Sequence, residues 1–478
     1  MGKQIKNEAI TAREVDFAQW YTDVCRKAEL MDYSSVKGFI IYRPYGYALW
    51  EQIQSYLDAR FKETGHQNVY LPLVIPSSLF QKEKDHVAGF APETLIATIG
   101  GDKEIDDPLI IRPTSEVLFC EHFAKIVNSY RDLPLLYNQW CSVVRWEKTT
   151  RPFLRGSEFL WQEGHTLHAS EVEARHETLQ MLEIYKEMGK ELLAIPFVTG
   201  IKTEKEKFAG AINTYTIEAL MHDGKALQSG TTHYFGTGFA EAFNITFQDR
   251  DNLVKNPHQS SWGVSTRLIG AVIMVHGDDN GLVLPPRVAP TQIVIVPIQS
   301  QKEGVLSKAE HYLKRLKQAG YRVKLDNSDA SPGWKFAEYE MKGVPLRIEV
   351  GPRDLNNGVF TISRRVDGKK NIVPDHSLED VVSEQLDEIH ELMYAKAYQF
   401  FHERLSEATS FAQIGKALDE KPGYVKIMWC GDQACLDKVK EEFQATARCL
   451  PFEQIAISDT CAVCGKKGLH LVYLARAY

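Results

Sequence analysis

One stretch constrains this 478-residue chain more than any other: RWEKTTRPFLRGSEFLWQEGH, from Arg145 to His165. It holds seven charged side chains, four aromatic rings and a terminal histidine. Side chains alternate across an extended strand, so Arg145 and Glu147 are expected to share one strand face. In RGSEFLWQEGH the odd residues Arg155, Ser157, Phe159, Trp161, Glu163 and His165 share a face, with Arg155 either on the strand or at the edge of the KTTRP loop. Two antiparallel strands joined by that loop would pool these groups on one floor. Such a floor suits a small charged ligand. Guanidinium forks match phosphate or carboxylate oxygens, and a ring can stack on a base with an arginine opposite. A solvated hairpin of salt bridges is the competing reading, and the strict alternation of Phe, Trp and Glu weighs against it.

The rest of the chain predicts what carries this floor. At 44% hydrophobic and 25% charged residues it can bury two to four domain cores. A net charge of −7 excludes a basic nucleic-acid coat over the whole surface. The start, MGKQIKNEAITAREVDF, lacks an apolar signal region, and Lys6 stands where myristoylation needs Ser or Thr. The longest apolar run, LIGAVIMV, is too short to span a bilayer. A cytoplasmic protein with no membrane segment is expected.

Over residues 1–285, strands come in runs beside separate helices, which predicts an α+β domain with a mostly antiparallel sheet. A strand-turn-helix over residues 33–65, a strand at Val69–Pro76 and helices at Ser170–Leu193 and Arg267–Val275 are expected. Residues 286–400 alternate strand and helix as βαβαβ, a small α/β domain followed by a linker helix with Ser377 as N-cap. Its first helix, Gly304–Ala319, should bury Leu306, Ala309, Leu313 and Leu316. Residues 301–374 carry fifteen Lys/Arg against nine Asp/Glu, a locally basic module in an acidic protein, which suits RNA or phosphate and equally a solvated lysine-rich face.

Residues 401–478 hold five of the eight cysteines. Cys430, Cys435, Cys461 and Cys464 form two close pairs, and Cys-x-x-Cys followed by Gly465 is a zinc-knuckle pattern. Four thiolates would close a tetrahedral structural site in a small α/β zinc-containing C-terminal domain. Cys449 is read as a spare residue in mid-loop, and Cys25, Cys120 and Cys141 as buried free thiols. A disulfide framework is disfavoured in the cytoplasm.

Arg-x-Glu, a loop, then Arg-x-x-x-Phe-x-x-x-Glu resembles motif 2 of class II aminoacyl-tRNA synthetases. RPTSEVLF (112–119) resembles their amino-acid-binding loop, and GHQNVYLPLVIP, with Pro72, resembles motif 1, the dimer-interface strand. GVSTRLIGAVIMVHGDDNGLVLPPRVAP resembles motif 3, with Arg267 as its arginine. The wording, including KTEKEKFAGA and the cysteine tail, is most similar to the prolyl-tRNA synthetase family of archaeal and eukaryotic type, from about Asp16 to Tyr478.

That resemblance implies a two-step ligation of L-proline to tRNA(Pro) through a prolyl-adenylate, with ATP and Mg2+, by a homodimer with an α/β anticodon-binding domain. It implies that Arg145 bridges the α-phosphate and the proline carboxylate, Glu147 reads the adenine amino group and Phe159 stacks under adenine. Arg155 and Arg267 would hold the β- and γ-phosphates, and Gln228 and Thr231 would touch ATP. Thr114 and Glu116 would accept the two N–H bonds of the secondary ammonium. Trp161, Glu163, His165, Phe208, His233 and Ser265 would line the proline slot. Glu340, Arg347, Arg353 and Asp354 are anticodon candidates, and the Tyr478 carboxylate would approach the active site. No covalent nucleophile is needed, since the task is to screen and align two anions. A threonyl enzyme would hold a catalytic zinc, whereas the cysteines here cluster in the tail. A non-catalytic regulator would lack a motif residue, and Arg145, Glu147, Phe159 and Arg267 are all present.

Overall fold

A computed structural model describes residues 10–82 and 94–478; the polar start at Met1–Ala9 lies outside the described residues. The expected strand-turn-helix is Ile40–Tyr42 followed by the helix Pro44–Glu63. Four long antiparallel strands build the catalytic floor: Leu135–Val144, Glu158–His168, His258–Ser265 and Ala226–Gly236, with Asn213–Leu220 and Val198–Ile201 beyond them. Leu135–Val144 and Glu158–His168 pair as the predicted hairpin, with Gln139 opposite Glu163 and Cys141 opposite Trp161.

The helix Glu171–Glu191 packs against one face of this sheet. Ser170 starts it with a reciprocal cap: its hydroxyl accepts from Glu173 N at 3.3 Å, and Glu173 accepts from Ser170 N at 3.2 Å. Met181, Tyr185 and Met188 of this helix meet Trp262 and Ile269 in a shared core. The even residues of Glu158–His168 face this helix, and Tyr185 is bonded to Gln162 at 2.6 Å. The odd residues are thereby left for the opposite face. Gly164 is required between them, because a Cβ there would lie 2.0 Å from the Trp262 ring.

A second sheet runs Val323–Leu325, Ile293–Pro297, Leu346–Val350, Val359–Arg364, Lys370–Pro374, parallel for its first three strands and antiparallel after. The helix Val305–Gln318 packs on it through Val305, Ala309, Tyr312 and Leu316, while Leu306 and Leu313 are only half-buried. The apolar face is therefore rotated from the expected one. The helix Leu378–Glu403 follows a short 3-10 turn, and Ser377 precedes it without a side-chain cap.

The expected strand at Val69–Pro76 is not continuous. Only Val74–Pro76 is a strand, in a separate three-stranded sheet, while Gln67–Asn68 edges the catalytic sheet. Between them the backbone bonds to side chains instead: Leu71 N donates to Gln139 at 2.5 Å, and Arg112 Nη1 donates to the Leu71 and Pro72 carbonyls. The C-terminal strands Leu405–Glu407, Tyr424–Trp429, His470–Ala475 and Thr446–Pro451 continue the catalytic sheet, through pairing of Leu450 with Ile201, so that among the described residues eleven strands form one sheet. Cys449 lies buried within Thr446–Pro451, so it is a strand residue and not a loop residue. Cys25 and Cys120 are buried thiols as expected, and Cys141 is half-buried. Among the described residues, no helix is long and apolar enough to cross a membrane.

Candidate active site

On the face of the sheet away from the 171–191 helix lies a cavity of about 210 Å3. Thr114, Glu116, Arg145, Phe159, Trp161, Glu163, His165, Phe208, Gln228, Thr231, His233, Ser265 and Arg267 all line it. These residues come from three strands, three loops and the starts of the 116–126 and 267–276 helices, so the fold gathers groups up to 153 residues apart in sequence.

At one end the arginines gather. Arg145 follows the end of its strand, which stops at Val144, so Arg145 and Glu147 do not share a strand face as the sequence suggested. One further ladder bond, Arg145 N to Ser157 O at 2.8 Å, holds the backbone in place. Its Nε donates to the Pro113 carbonyl at 3.0 Å, and its guanidinium sits 5.4 Å and 5.5 Å from the Phe159 and Trp161 rings. Arg267 opens its helix with Nε on the Leu154 carbonyl at 3.0 Å and Nη1 on the Gln228 carbonyl at 3.2 Å. Burial, and then the charges of Arg145 and Arg155, pull its pKa down to about 10, so it stays cationic at neutral pH. Three cations sharing one field is a costly arrangement unless an anion joins them.

Arg155 and Glu147 stand outside the cavity lining. Arg155 is exposed and belongs to the loop, not the strand: it closes a tight turn by two backbone bonds with Arg151, of 2.8 Å and 3.0 Å. It lines a neighbouring cavity that shares Phe159 with the first. Ser157 likewise precedes the strand, which begins at Glu158.

The other end is held by buried polar pairs. Glu163, 1% exposed, accepts from Ser115 N at 3.2 Å, Gln139 Nε2 at 2.9 Å and His165 Nε2 at 2.9 Å, and also from the Ser115 hydroxyl. Burial alone would raise its pKa; His165 and these donors outweigh it and hold the carboxyl below the usual range. Thr114 donates to Glu116 at 2.5 Å. His233 is clamped between the Thr214 hydroxyl at 3.0 Å and the Thr231 hydroxyl at 3.1 Å, with the Phe208 ring 4.5 Å away. Burial and the nearby His165 push His233 down to about 3, which makes it neutral at any physiological pH. Ser115, Gln139 and Thr214 were not singled out from the sequence. Thr214 pairs with His233 across the Asn213–Leu220 ladder, so only the strand register reveals it.

Buried histidines set an acid limit on this fold. Burial lowers His168 and His276 to about 4, as it lowers His233 to about 3. The unfolded chain binds these protons below its ordinary value near 6.5 and the folded chain refuses them. The stabilisation is therefore complete above pH 6.5 and is lost as pH falls from there towards 4. Each refused proton costs about 1.4 kcal/mol per pH unit. The thermal midpoint is expected to fall steadily over that window, and a His233→Gln variant to flatten the slope; equal slopes for variant and parent would remove His233 from this account.

Similarity to known proteins agrees with the geometry. Residues 98–276 match the tRNA synthetase class II core domain (G, H, P, S and T), residues 292–385 an anticodon binding domain, and residues 411–478 the prolyl-tRNA synthetase C-terminal domain. The proline–tRNA ligase 2 of Bacillus cereus is 58% identical over 471 residues, covering 98% of this chain and 99% of that protein. Proline–tRNA ligases of Clostridium botulinum (Loch Maree) and Clostridium novyi are 58% identical, each over 98% of both chains. The chain belongs to the proline–tRNA ligase family.

In this proline–tRNA ligase family member the four tail cysteines do meet. Cys430 follows the Tyr424–Trp429 strand, Cys435 sits in the first turn of the Gln433–Phe443 helix, and Cys461 and Cys464 flank a turn that needs Gly465 at φ 74°. Their sulfurs lie 3.7 Å (430 to 435), 3.6 Å (430 to 464) and 4.0 Å (435 to 461) apart. Tetrahedral thiolates at about 2.3 Å from zinc would stand roughly 3.8 Å apart, so the set fits that ion.

The four anticodon candidates separate. Arg347 pairs with Glu349 at 2.9 Å and lies 3.8 Å over the Phe336 ring. Asp354 caps its own short helix by accepting from Gly351 N at 2.8 Å. Glu340 faces the catalytic side, bonded by Asn280 at 3.3 Å, and Arg353 is exposed. Tyr478 packs on the catalytic core, its hydroxyl on Asp223 at 2.6 Å and the Arg151 guanidinium 5.6 Å from its ring.

Proposed function

We propose that this enzyme ligates L-proline to tRNA(Pro), by attack of the proline carboxylate on the α-phosphorus of ATP and then transfer of prolyl to the tRNA 3′ end. The observation that carries this reading is one cavity with Arg145 and Arg267 at one end and a buried, ring-walled slot at the other. Both reactants of the first step are anions, so Arg145, beside Phe159 and Trp161 on the cavity wall, screens and aligns them. Pyrophosphate leaves from the Arg267 side. Glu147 and Phe159 hold adenine, Gln228 and Thr231 the nucleotide, and Arg155 reaches the outer phosphates from the loop. ATP arrives as its Mg2+ complex, the ion being held largely by the substrate's own phosphates.

The slot selects the amino acid. Thr114 and Glu116 accept the ammonium N–H groups, and Trp161, Phe208 and neutral His233 wall the pyrrolidine ring, with Glu163, His165 and Ser265 around it. A wall that excludes by shape discriminates a missing methylene by only about 1–3 kcal/mol. Alanine or cysteine is therefore expected to be activated measurably, with no hydrolysis of alanyl-tRNA by this chain alone. Rapid release of alanine from alanyl-tRNA would contradict this.

The architecture proposed is a catalytic domain at 1–285, an anticodon-binding domain with its linker helix at 286–400 and a zinc domain at 401–478, in a cytoplasmic homodimer. We assign the archaeal/eukaryotic type on the wording of KTEKEKFAGA and of RPFLRGSEFLWQEGHT and on the cysteine tail, as an architecture and not a lineage, since the relatives named above are bacterial. Glu340, Arg347, Arg353 and Asp354 stand as anticodon contacts, and the Tyr478 carboxylate as an active-site neighbour. Zinc on Cys430, Cys435, Cys461 and Cys464 supplies a structural cross-link and folding energy. One zinc per chain is expected by atomic absorption, and a chelator strong enough to strip it should lower the thermal midpoint and prolylation together. Full activity in a zinc-free preparation would refute the assignment. The overall reading is tested by charging purified tRNA(Pro) with labelled proline.

A further inference from the structure

Where the C-terminal strands join the catalytic sheet, three charges are buried together. Glu218 is fully buried, Lys202 and Arg448 nearly so. Arg448 reaches the carboxylate through Nε at 3.1 Å and through Nη2 at 2.9 Å and 3.2 Å. Lys202 Nζ donates to it at 2.7 Å and the Thr216 hydroxyl at 3.1 Å. Arg448 belongs to the C-terminal part of the chain, and Glu218 and Lys202 to the catalytic sheet. The backbones close up at the same place. Pro451 pairs with Gly200, where a Cβ would lie 2.3 Å from the Leu450 carbonyl.

Two routes lead from this triad into the active-site cavity. Glu218 stands at a β-bulge: Ile217 pairs with Gly230 but Glu218 with Gln228, which leaves Ser229 unpaired. The bulge re-aims Gln228, whose carbonyl takes Arg267 Nη1 at 3.2 Å. Lys202 begins the connection that brings Glu206 and Phe208 to the cavity, and Lys202 N is bonded to the Thr214 carbonyl at 2.8 Å, beside the hydroxyl that receives Phe208 N and holds His233.

We infer that Glu218 is a positioning residue for the ATP end of the site, locked by Lys202 and by Arg448 from the C-terminal region, so that this region forms part of the catalytic wall. A buried carboxylate with two cationic partners holds one geometry, because any displacement leaves a charge unpaired in a medium that does not screen it. The geometry it holds is the bulge, and the bulge sets Gln228 and Arg267. Glu218 is also an acidic counterweight to the crowded arginines around Arg267.

This inference rests on Arg267 and Gln228 holding ATP, and the test separates the two claims. ATP–pyrophosphate exchange is measured on full-length Glu218→Gln, Arg448→Met, Arg448→Lys and Arg267→Ala proteins, with active sites counted by burst titration. Expected is a tenfold or larger rise in the KM for ATP for Glu218→Gln and Arg448→Met, with the KM for proline within threefold, and partial recovery for Arg448→Lys. If Glu218→Gln does not fold, the Arg448 pair carries the same comparison. A normal KM for ATP per titrated site, with only thermal stability lowered, would overturn the inference while Arg267→Ala still raises it. If Arg267→Ala also leaves the KM for ATP unchanged, the reading beneath it falls as well.

Discussion

An Arg145→Ala variant is expected to fold normally and to lose about 100- to 1,000-fold in proline-dependent ATP–pyrophosphate exchange. Removing one preorganised donor at a developing anion costs about 2.7–4 kcal/mol in transition-state stabilisation. Arg145 is placed for such a role: the Pro113 carbonyl fixes its Nε at 3.0 Å, the Phe159 and Trp161 rings lie beside its guanidinium, and it lines the cavity at the arginine end. Arg145→Lys should restore little, because an ammonium cannot reproduce the planar fork that bonds a carbonyl beside two rings and still offers donors to the proposed anions. Unchanged thermal stability with collapsed kcat is the signature to measure. A normal rate would refute the mechanism even if proline were the substrate.

A Glu163→Gln variant should lose both stability and proline affinity. The carboxylate, 1% exposed, accepts from Ser115, Gln139 and His165. An amide offers one acceptor oxygen and turns its NH2 towards groups that also donate. Breaking a buried charged pair on one side costs about 3–5 kcal/mol. The thermal midpoint should fall by several degrees, and the KM for proline should rise more than tenfold, because the Ser115 backbone that separates Thr114 from Glu116 is one of the carboxylate's partners. Calorimetry and a proline titration at saturating ATP check both. A lowered midpoint with an unchanged KM would make Glu163 a stabilising residue only.

Much of this site was legible because a strand has a period of two. Phe159, Trp161, Glu163 and His165 fall on one face, and the sheet puts that face over the cavity while Gln162 turns back to Tyr185. The same period misled at the hairpin's end. The ladder with Glu158–His168 stops at Val144, whose N–H goes to the Arg112 carbonyl, so Arg145 and Glu147 are not strand neighbours. At Val69–Pro76 the apolar run looked like a strand, but Pro72 has no N–H to give a ladder and the Arg112 side chain takes the nearby carbonyls. The four cysteines could be chosen from spacing alone. The joined sheet could not, because Glu218 and Arg448 are 230 residues apart and neither lies in a recognisable motif. Partners of that kind depend on strand register between distant segments, which local pattern does not encode.

The central claim is that one cavity activates proline by aligning its carboxylate with ATP. ATP–pyrophosphate exchange with each of the twenty amino acids, run on the parent protein at equal active-site concentration, tests it most directly. The account predicts exchange led by proline, with alanine and cysteine far behind. Exchange led by threonine, or no exchange with any amino acid, would contradict it.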